Sequence, residues 1–161
     1  MTSLWRIATD TRRYASDDLS GRGALIQGGR WNDKGTPAVY TSASIALACL
    51  ETLVHLAASS LPLNRYLVRV DVDDALWAAR QTLGPSSLDE PPVGWDAIPY
   101  GRVSVDAGQK WLTGGASALL AVPSVVVPEE FNVLINPRHA DAAKLRATKV
   151  RKWLYDARFR A

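Results

Sequence analysis

From Arg65 to Val72 the chain alternates, with Tyr66, Val68, Val70 and Val72 on one face and Arg65, Arg69 and Asp71 on the other. A β-strand with one buried face satisfies that period. Other short β-prone runs accompany it: residues 3–8, 38–41, Leu119 to Val122, Ser124 to Val127 and Phe131 to Ile135. Pro123 demotes its own position to an edge, a bulge or a break. The tail repeats the alternation, because Trp153, Tyr155, Ala157 and Phe159 share one parity and so predict a final strand. Helical segments are fewer. Ala43 to Ala58 predicts a helix capped by Ser42 or Ser44, with Ala46, Leu50, Leu53 and Ala57 as its buried face. Ser104 to Leu112 predicts another, stopped by Gly114-Gly115, and Asn136-Pro137 has the form of a helix start. The regular βαβ alternation of a doubly wound fold is absent. The expectation is one compact α+β domain over residues 1–161, a mixed or antiparallel sheet with flanking helices.

Two stretches resist this reading. Residues 9–36 are rich in Gly, Ser, Asp and Arg and predict a long loop with room for a short helix. Residues 83–99 carry Pro85, Pro91, Pro92 and Pro99 and predict an irregular loop. A loop of that length in a compact domain is usually functional or disordered.

Composition narrows the chemistry. A single cysteine, Cys49, excludes an intrachain disulfide framework and any multi-thiolate metal site. The two histidines, His55 and His139, form no i,i+4 pair, so no zinc site and no metal cofactor is expected. No apolar h-region follows the start, and no run of about 18 apolar residues exists, so the expectation is a cytoplasmic protein with no membrane span. The net charge of +3 is mild, but Lys and Arg concentrate after Arg138. That basic end reads as a solvated face, since no aromatic ladder for bases accompanies it.

The polar residues that could carry chemistry stand apart from these runs. Arg30 follows Gly28-Gly29, and a guanidinium beside flexible backbone amides suits a phosphate; the alternative is a surface arginine. Tyr40 could stack on a flat ring or bond a ribose hydroxyl, or could be an ordinary half-buried strand tyrosine. Glu51 lies near the core boundary of its helix, where a carboxylate needs a partner. It could face a developing positive charge, or pair with His55 four residues on. Ser124 is in no Gly-x-Ser-x-Gly elbow, so it reads as a hydrogen-bond donor to a ligand or as a strand serine rather than a nucleophile.

Order and spacing together resemble the RES-domain toxins of RES–Xre toxin–antitoxin modules. The name-giving arginine, glutamate and serine match Arg30 in Gly-Gly-Arg-Trp-Asn, Glu51 in Cys-Leu-Glu-Thr-Leu and Ser124 in Val-Pro-Ser. Tyr40 in Ala-Val-Tyr-Thr matches the family's pocket tyrosine. Leu4-Trp5-Arg6-Ile7, the run from Phe131 to His139, and Tyr155 to Phe159 extend the resemblance over nearly the whole chain. It implies an ADP-ribosyltransferase-like fold and an enzyme that consumes NAD⁺ by hydrolysis or phosphorolysis of the nicotinamide–ribose bond. The alternative is transfer of ADP-ribose to a protein, and a ribonuclease or nucleic-acid-binding toxin ranks below both. On the same resemblance Arg30, helped by Arg6, holds phosphate and Tyr40 packs against the nicotinamide or its ribose. Glu51 bonds the ribose hydroxyls and stabilises the oxocarbenium, and Ser124 orients the ligand. An Xre-like antitoxin partner, DNA contact only through that antitoxin, and a homodimeric toxin core are further implications.

Overall fold

The computed structural model describes residues 1–56, 61–84 and 89–159. Seven strands form one sheet: β1 (Thr2–Thr9), β2 (Val39–Ser42), β3 (Arg65–Val72), β4 (Gln81–Thr82), β5 (Leu119–Pro123), β6 (Phe131–Ile135) and β7 (Arg146–Trp153). Their spatial order is β4-β5-β6-β2-β1-β3-β7. Only β4 and β5 run parallel; every other pairing is antiparallel, so the sheet is mixed as expected. Among the described residues four α-helices accompany it: α1 (Arg22–Gln27), α2 (Ile45–Leu53), α3 (Asp74–Ala78) and α4 (Arg102–Gly114).

Both sheet faces are apolar. One buries Leu4, Val39, Val68, Val70, Val72, Leu119, Ala121, Val133 and Ile135. The other divides between a cluster around Ile7, Ala48, Cys49 and Leu67 and a cluster around Trp31, Trp111, Leu120, Val122 and Leu134. Burial on both sides explains why β5 and β6 are nearly continuous apolar runs.

The structure redraws several predicted elements. α2 is capped by Ser44, whose side chain accepts from the Leu47 amide. Its buried residues are Leu47, Ala48 and Cys49, whereas Ala46 and Leu50 are exposed; Leu53 packs partly buried, and Ala57 lies outside the described residues. The segment is small and apolar all round, so spacing alone does not pick its inner face. Ser124 to Val127 is not a strand. β5 ends at Pro123, and the Ser124 hydroxyl accepts from the Val126 and Val127 amides, which closes a turn. Asn136 does not start a helix: its side-chain amide donates to the Leu112 carbonyl inside the core, and its Oδ1 accepts from the Arg138 amide. A 3-10 turn begins only at Ala140, with His139 as its cap.

The final strand also lies earlier than the tail's parity predicts. β7 covers Arg146–Trp153 and is followed by a 3-10 turn at Ala157–Phe159. Tyr155 is buried for another reason: its hydroxyl lies 2.7 Å from Thr52 Oγ1 of α2. β7 is an exposed edge strand bearing Arg146, Lys149, Arg151 and Lys152. Its cations lie over its neighbouring rings, Lys149 over Tyr66 and Arg151 over Trp153. Each of those rings therefore has one face covered by a cation. α4 matches expectation, ending at Gly115 in the left-handed conformation.

Candidate active site

β2 leads directly into α2, and this junction places Glu51. Leu47 faces the sheet, and Glu51 follows four residues later on the same side of the helix. Its carboxylate reaches across to the β5–β6 turn and to β6. Glu51 Oε1 accepts from Ser124 Oγ at 2.7 Å and from Asn132 Nδ2 at 2.6 Å. Ser124 is fully buried at the start of the β5–β6 turn. Because its oxygen already accepts two backbone amides, its single proton is directed at Glu51. Asn132 pairs in register with Ser42 of β2, and Ser42 Oγ donates to Asn132 Oδ1 at 2.7 Å.

Tyr40 lies two residues before Ser42 and so shares its sheet face. Its hydroxyl accepts from the Trp31 amide at 3.0 Å and donates to Asn32 Oδ1 at 2.8 Å. Burial pushes the phenol well above the ordinary tyrosine range, so it stays protonated. Both of these bonds are made inside the protein. Gly29 is required at this contact, since a Cβ there would meet the Tyr40 oxygen at 2.6 Å. Asn32 fixes the loop by donating to the Ala24, Asp33 and Thr36 carbonyls.

Arg30 sits on this locked turn. Its Nη1 donates to the carbonyls of Trp95 at 2.8 Å and Ala97 at 2.9 Å, while Trp95 stacks on Trp31 at 6.1 Å. The proline-rich loop is therefore tied to the site by the arginine itself. Burial draws the guanidinium below its ordinary value; the Glu51 carboxylate is the foremost charge opposing that, followed by Asp96. Cation and carboxylate thus act on each other across one site. α4 supports the turn from behind: Gln109 bonds the Asp33 amide and Thr36 Oγ1, and Arg102 pairs with Asp33 and Asp106.

Sequence reasoning placed Arg30, Tyr40, Glu51 and Ser124 together, and the structure brings these four to one place. Arg6 does not join them. It shares the parity of Leu4, on the opposite face of the sheet, where its guanidinium faces Asp18, Tyr14 and Asp17. It is removed from the phosphate-binding set. The Glu51–His55 pair does not form either: His55 is exposed, and the Glu51 carboxylate turns to Ser124 and Asn132. Asn132, Ser42 and the Trp95–Ala97 segment were missed. A polar residue inside the apolar run Phe131–Ile135 was the available signal for Asn132; nothing local marks Trp95. A cavity of about 620 Å³ lies beside Gly28, Asn32, Tyr100 and Arg102 but includes neither Glu51 nor Ser124. Its one carboxylate, Asp33, is bound to Arg102. Among the described residues no group of three or more His, Cys, Asp and Glu could hold a metal ion.

Residues 3–157 match the RES domain model. The chain belongs to the RES domain family. A RES relative from Sphingobium sp. (strain YBL2), named "Prs ADP-ribosylating toxin", is 59% identical over 98% of this chain and 96% of its own length. "Toxin Res" proteins of Yersinia enterocolitica and Pseudomonas putida are 39% and 37% identical, covering 84% and 89% of this chain and 84% and 91% of their own lengths. Among solved structures, the Mycobacterium tuberculosis MbcT–MbcA toxin–antitoxin complex contains a chain of similar fold, at a TM-score of 0.64 and 18% identity. That likeness covers 93% of this chain and 84% of that one.

Proposed function

We propose that this RES protein is a toxin that cleaves the nicotinamide–ribose bond of NAD⁺ and passes the ADP-ribose to an acceptor. The observation that carries the reading is the Glu51 carboxylate. One oxygen is held by Ser124 and Asn132, and the other has no bonded partner among the described residues. A carboxylate fixed in this way can meet the ribose hydroxyls and face the positive charge that develops on the sugar as the bond breaks. The bonding electron pair leaves with nicotinamide, which needs no general acid because it departs as a neutral ring. Arg30 supplies the opposite end of the grip. Its remaining N–H groups suit the diphosphate, while Nη1 keeps the Trp95–Ala97 segment in place. Tyr40 offers its ring to the nicotinamide or its ribose.

For the acceptor, the name of the relative at 59% identity supports a protein side chain over water or phosphate. Prs, the protein in that name, is the first acceptor to test. An antitoxin that restrains the enzyme belongs to the same proposal, with the toxin–antitoxin pairing of the fold neighbour in its favour. An Xre-type antitoxin, DNA contact through it alone, a homodimeric toxin core and action in the cytoplasm complete the reading.

The test incubates purified protein with NAD⁺ alone, with inorganic phosphate and with Prs, following nicotinamide and ADP-ribose products by chromatography and the proteins by mass. Nicotinamide release abolished by Glu51→Gln, with an ADP-ribose mass added to Prs, supports the proposal. Release that survives Glu51→Gln at the wild-type rate overturns the role of Glu51. Free ADP-ribose or its phosphorylated form without protein modification replaces the acceptor.

A further inference from the structure

We infer that Asn132 is a positioning residue for the catalytic carboxylate and that Ser42 sets its orientation; this rests on the proposed role of Glu51. The geometry leaves the amide one productive arrangement. Ser42 Oγ donates to Asn132 Oδ1 at 2.7 Å, so the oxygen end of the amide must face β2. The amino end then points at α2 and donates to Glu51 Oε1 at 2.6 Å. Ser42 is itself buried, which removes water as a competing partner for that amide. The three strands β5, β6 and β2 are in register here, Val122 opposite Asn132 and Asn132 opposite Ser42. The relay is thus built on rigid sheet, whereas the carboxylate it holds comes from a helix.

The consequence is asymmetric. Ser124 and Asn132 both bind Oε1, so any rotation of the carboxylate about its last bond, short of the half-turn that exchanges its two equivalent oxygens, strains or breaks both bonds. Ser124 alone defines a point, about which the group could pivot. Asn132 adds the second point that fixes the plane, and with it the direction of Oε2. Misplacing a reacting group by about 1 Å can cost on the order of a hundredfold in rate.

Asn132→Leu should therefore lower kcat for nicotinamide release by roughly 30- to 100-fold while KM stays within about threefold, since the loss falls on the transition state. Ser42→Ala should give a smaller loss in the same direction. Asn132→Asp gives the sharper signature. It places a second carboxylate against Glu51, and like charges in contact make the pair harder to ionise fully, so the two acids titrate as a unit. The charged or titratable groups around them are Arg30, Tyr40, His55 of the turn that follows α2, and Glu130 of the β5–β6 turn. All of these are unchanged in the variant, so the wild-type profile controls for them. With both acids ionised, Glu51 is pushed off position; with one proton shared, a donor is restored. The kcat of Asn132→Asp should rise as pH falls from 8 to about 6, whereas wild type shows no such rise.

The experiment measures nicotinamide release against pH for wild type, Asn132→Leu, Asn132→Asp and Ser42→Ala, with thermal unfolding of each. The side-chain amide resonance of Asn132 is recorded by ¹⁵N NMR in wild type and in Glu51→Gln. A kcat loss with an acid-recovering aspartate variant and an amide resonance that moves in Glu51→Gln supports the inference. A leucine variant that keeps its kcat, or an aspartate variant whose profile parallels wild type, overturns it. If wild type releases no nicotinamide, the NAD⁺ reading falls. The amide resonance then decides the relay alone: an unshifted resonance in Glu51→Gln overturns it.

Discussion

Gly108→Ala separates two opposed expectations by sign. Gly108 sits inside α4, and in a helix interior alanine is better than glycine by about 1 kcal/mol. On propensity alone the substitution should stabilise the protein. The packing dictates the opposite. A Cβ at Gly108 would lie 1.8 Å from the Trp31 carbonyl oxygen, 2.6 Å from its carbonyl carbon and 2.8 Å from its Cβ. Two of those atoms are backbone, on a turn locked by Asn32 and Tyr40, so no side chain can swing aside. The helix must instead retreat by more than an ångström. Retreat loosens the Trp31–Trp111 cluster and the two Gln109 bonds, to the Asp33 amide and to Thr36. Overpacking costs about 1–3 kcal/mol and each lost hydrogen bond about 1 kcal/mol, so after the propensity gain the net loss is roughly 2–4 kcal/mol. For a chain of this size that is a fall in Tm of about 5–15 °C. Gly114→Ala is the control, because it lies in the last turn of the same helix with nothing within 4 Å of the added methyl. Urea and thermal unfolding of both variants decide the matter. A Gly108→Ala protein as stable as wild type, or more so, refutes the argument that α4 and the Arg30 turn meet backbone to backbone.

Other expectations follow from the same contacts. Arg30→Lys should reduce NAD⁺ turnover and loosen the proline-rich loop, because one ammonium cannot serve two carbonyls and a diphosphate; limited proteolysis near Trp95 checks the second effect. Tyr40 should make stability alkali-sensitive. Burial raises its folded-state pKa above the ordinary tyrosine value of 10.0, so its contribution is intact below that value and is lost as pH rises beyond it. Tyr40→Phe should flatten the fall in urea midpoint above about pH 10, and an unchanged slope would contradict the burial argument. Cys49 is buried and its thiol is pushed up, so thiol reagents should label the native protein slowly and the urea-unfolded protein at once.

The parts of the fold that were legible are those where one period dominates. Arg65 to Val72 declares itself because its valines face one core cluster. Where every position is apolar or small, as in α2, spacing cannot choose between Leu47 and Leu50, and the sheet chooses. Where a strand is exposed on an edge, as in β7, no face is buried and no alternation survives to be read; the aromatic parity of the tail misled instead. The site divides the same way. Arg30, Tyr40, Glu51 and Ser124 were reached through their residue types and the family resemblance. Arg6 was carried along by its neighbourhood in sequence, although strand alternation sends it to the other face. The Arg30 bonds to Trp95 and Ala97 span more than sixty residues and leave no trace in either segment alone.

The two margins of the sheet set how this molecule can meet another. At one side β4 offers only two residues, Gln81–Thr82, too short a rail for a foreign strand to follow. At the other, β7 presents Arg146, Lys149, Arg151 and Lys152 along its length, so an approaching strand would have to bury or displace several cations to hydrogen-bond beside it. Strand addition is disfavoured at both margins of the described sheet. Loops and helix faces carry no such barrier, and fit there depends on side chains that can discriminate between partners.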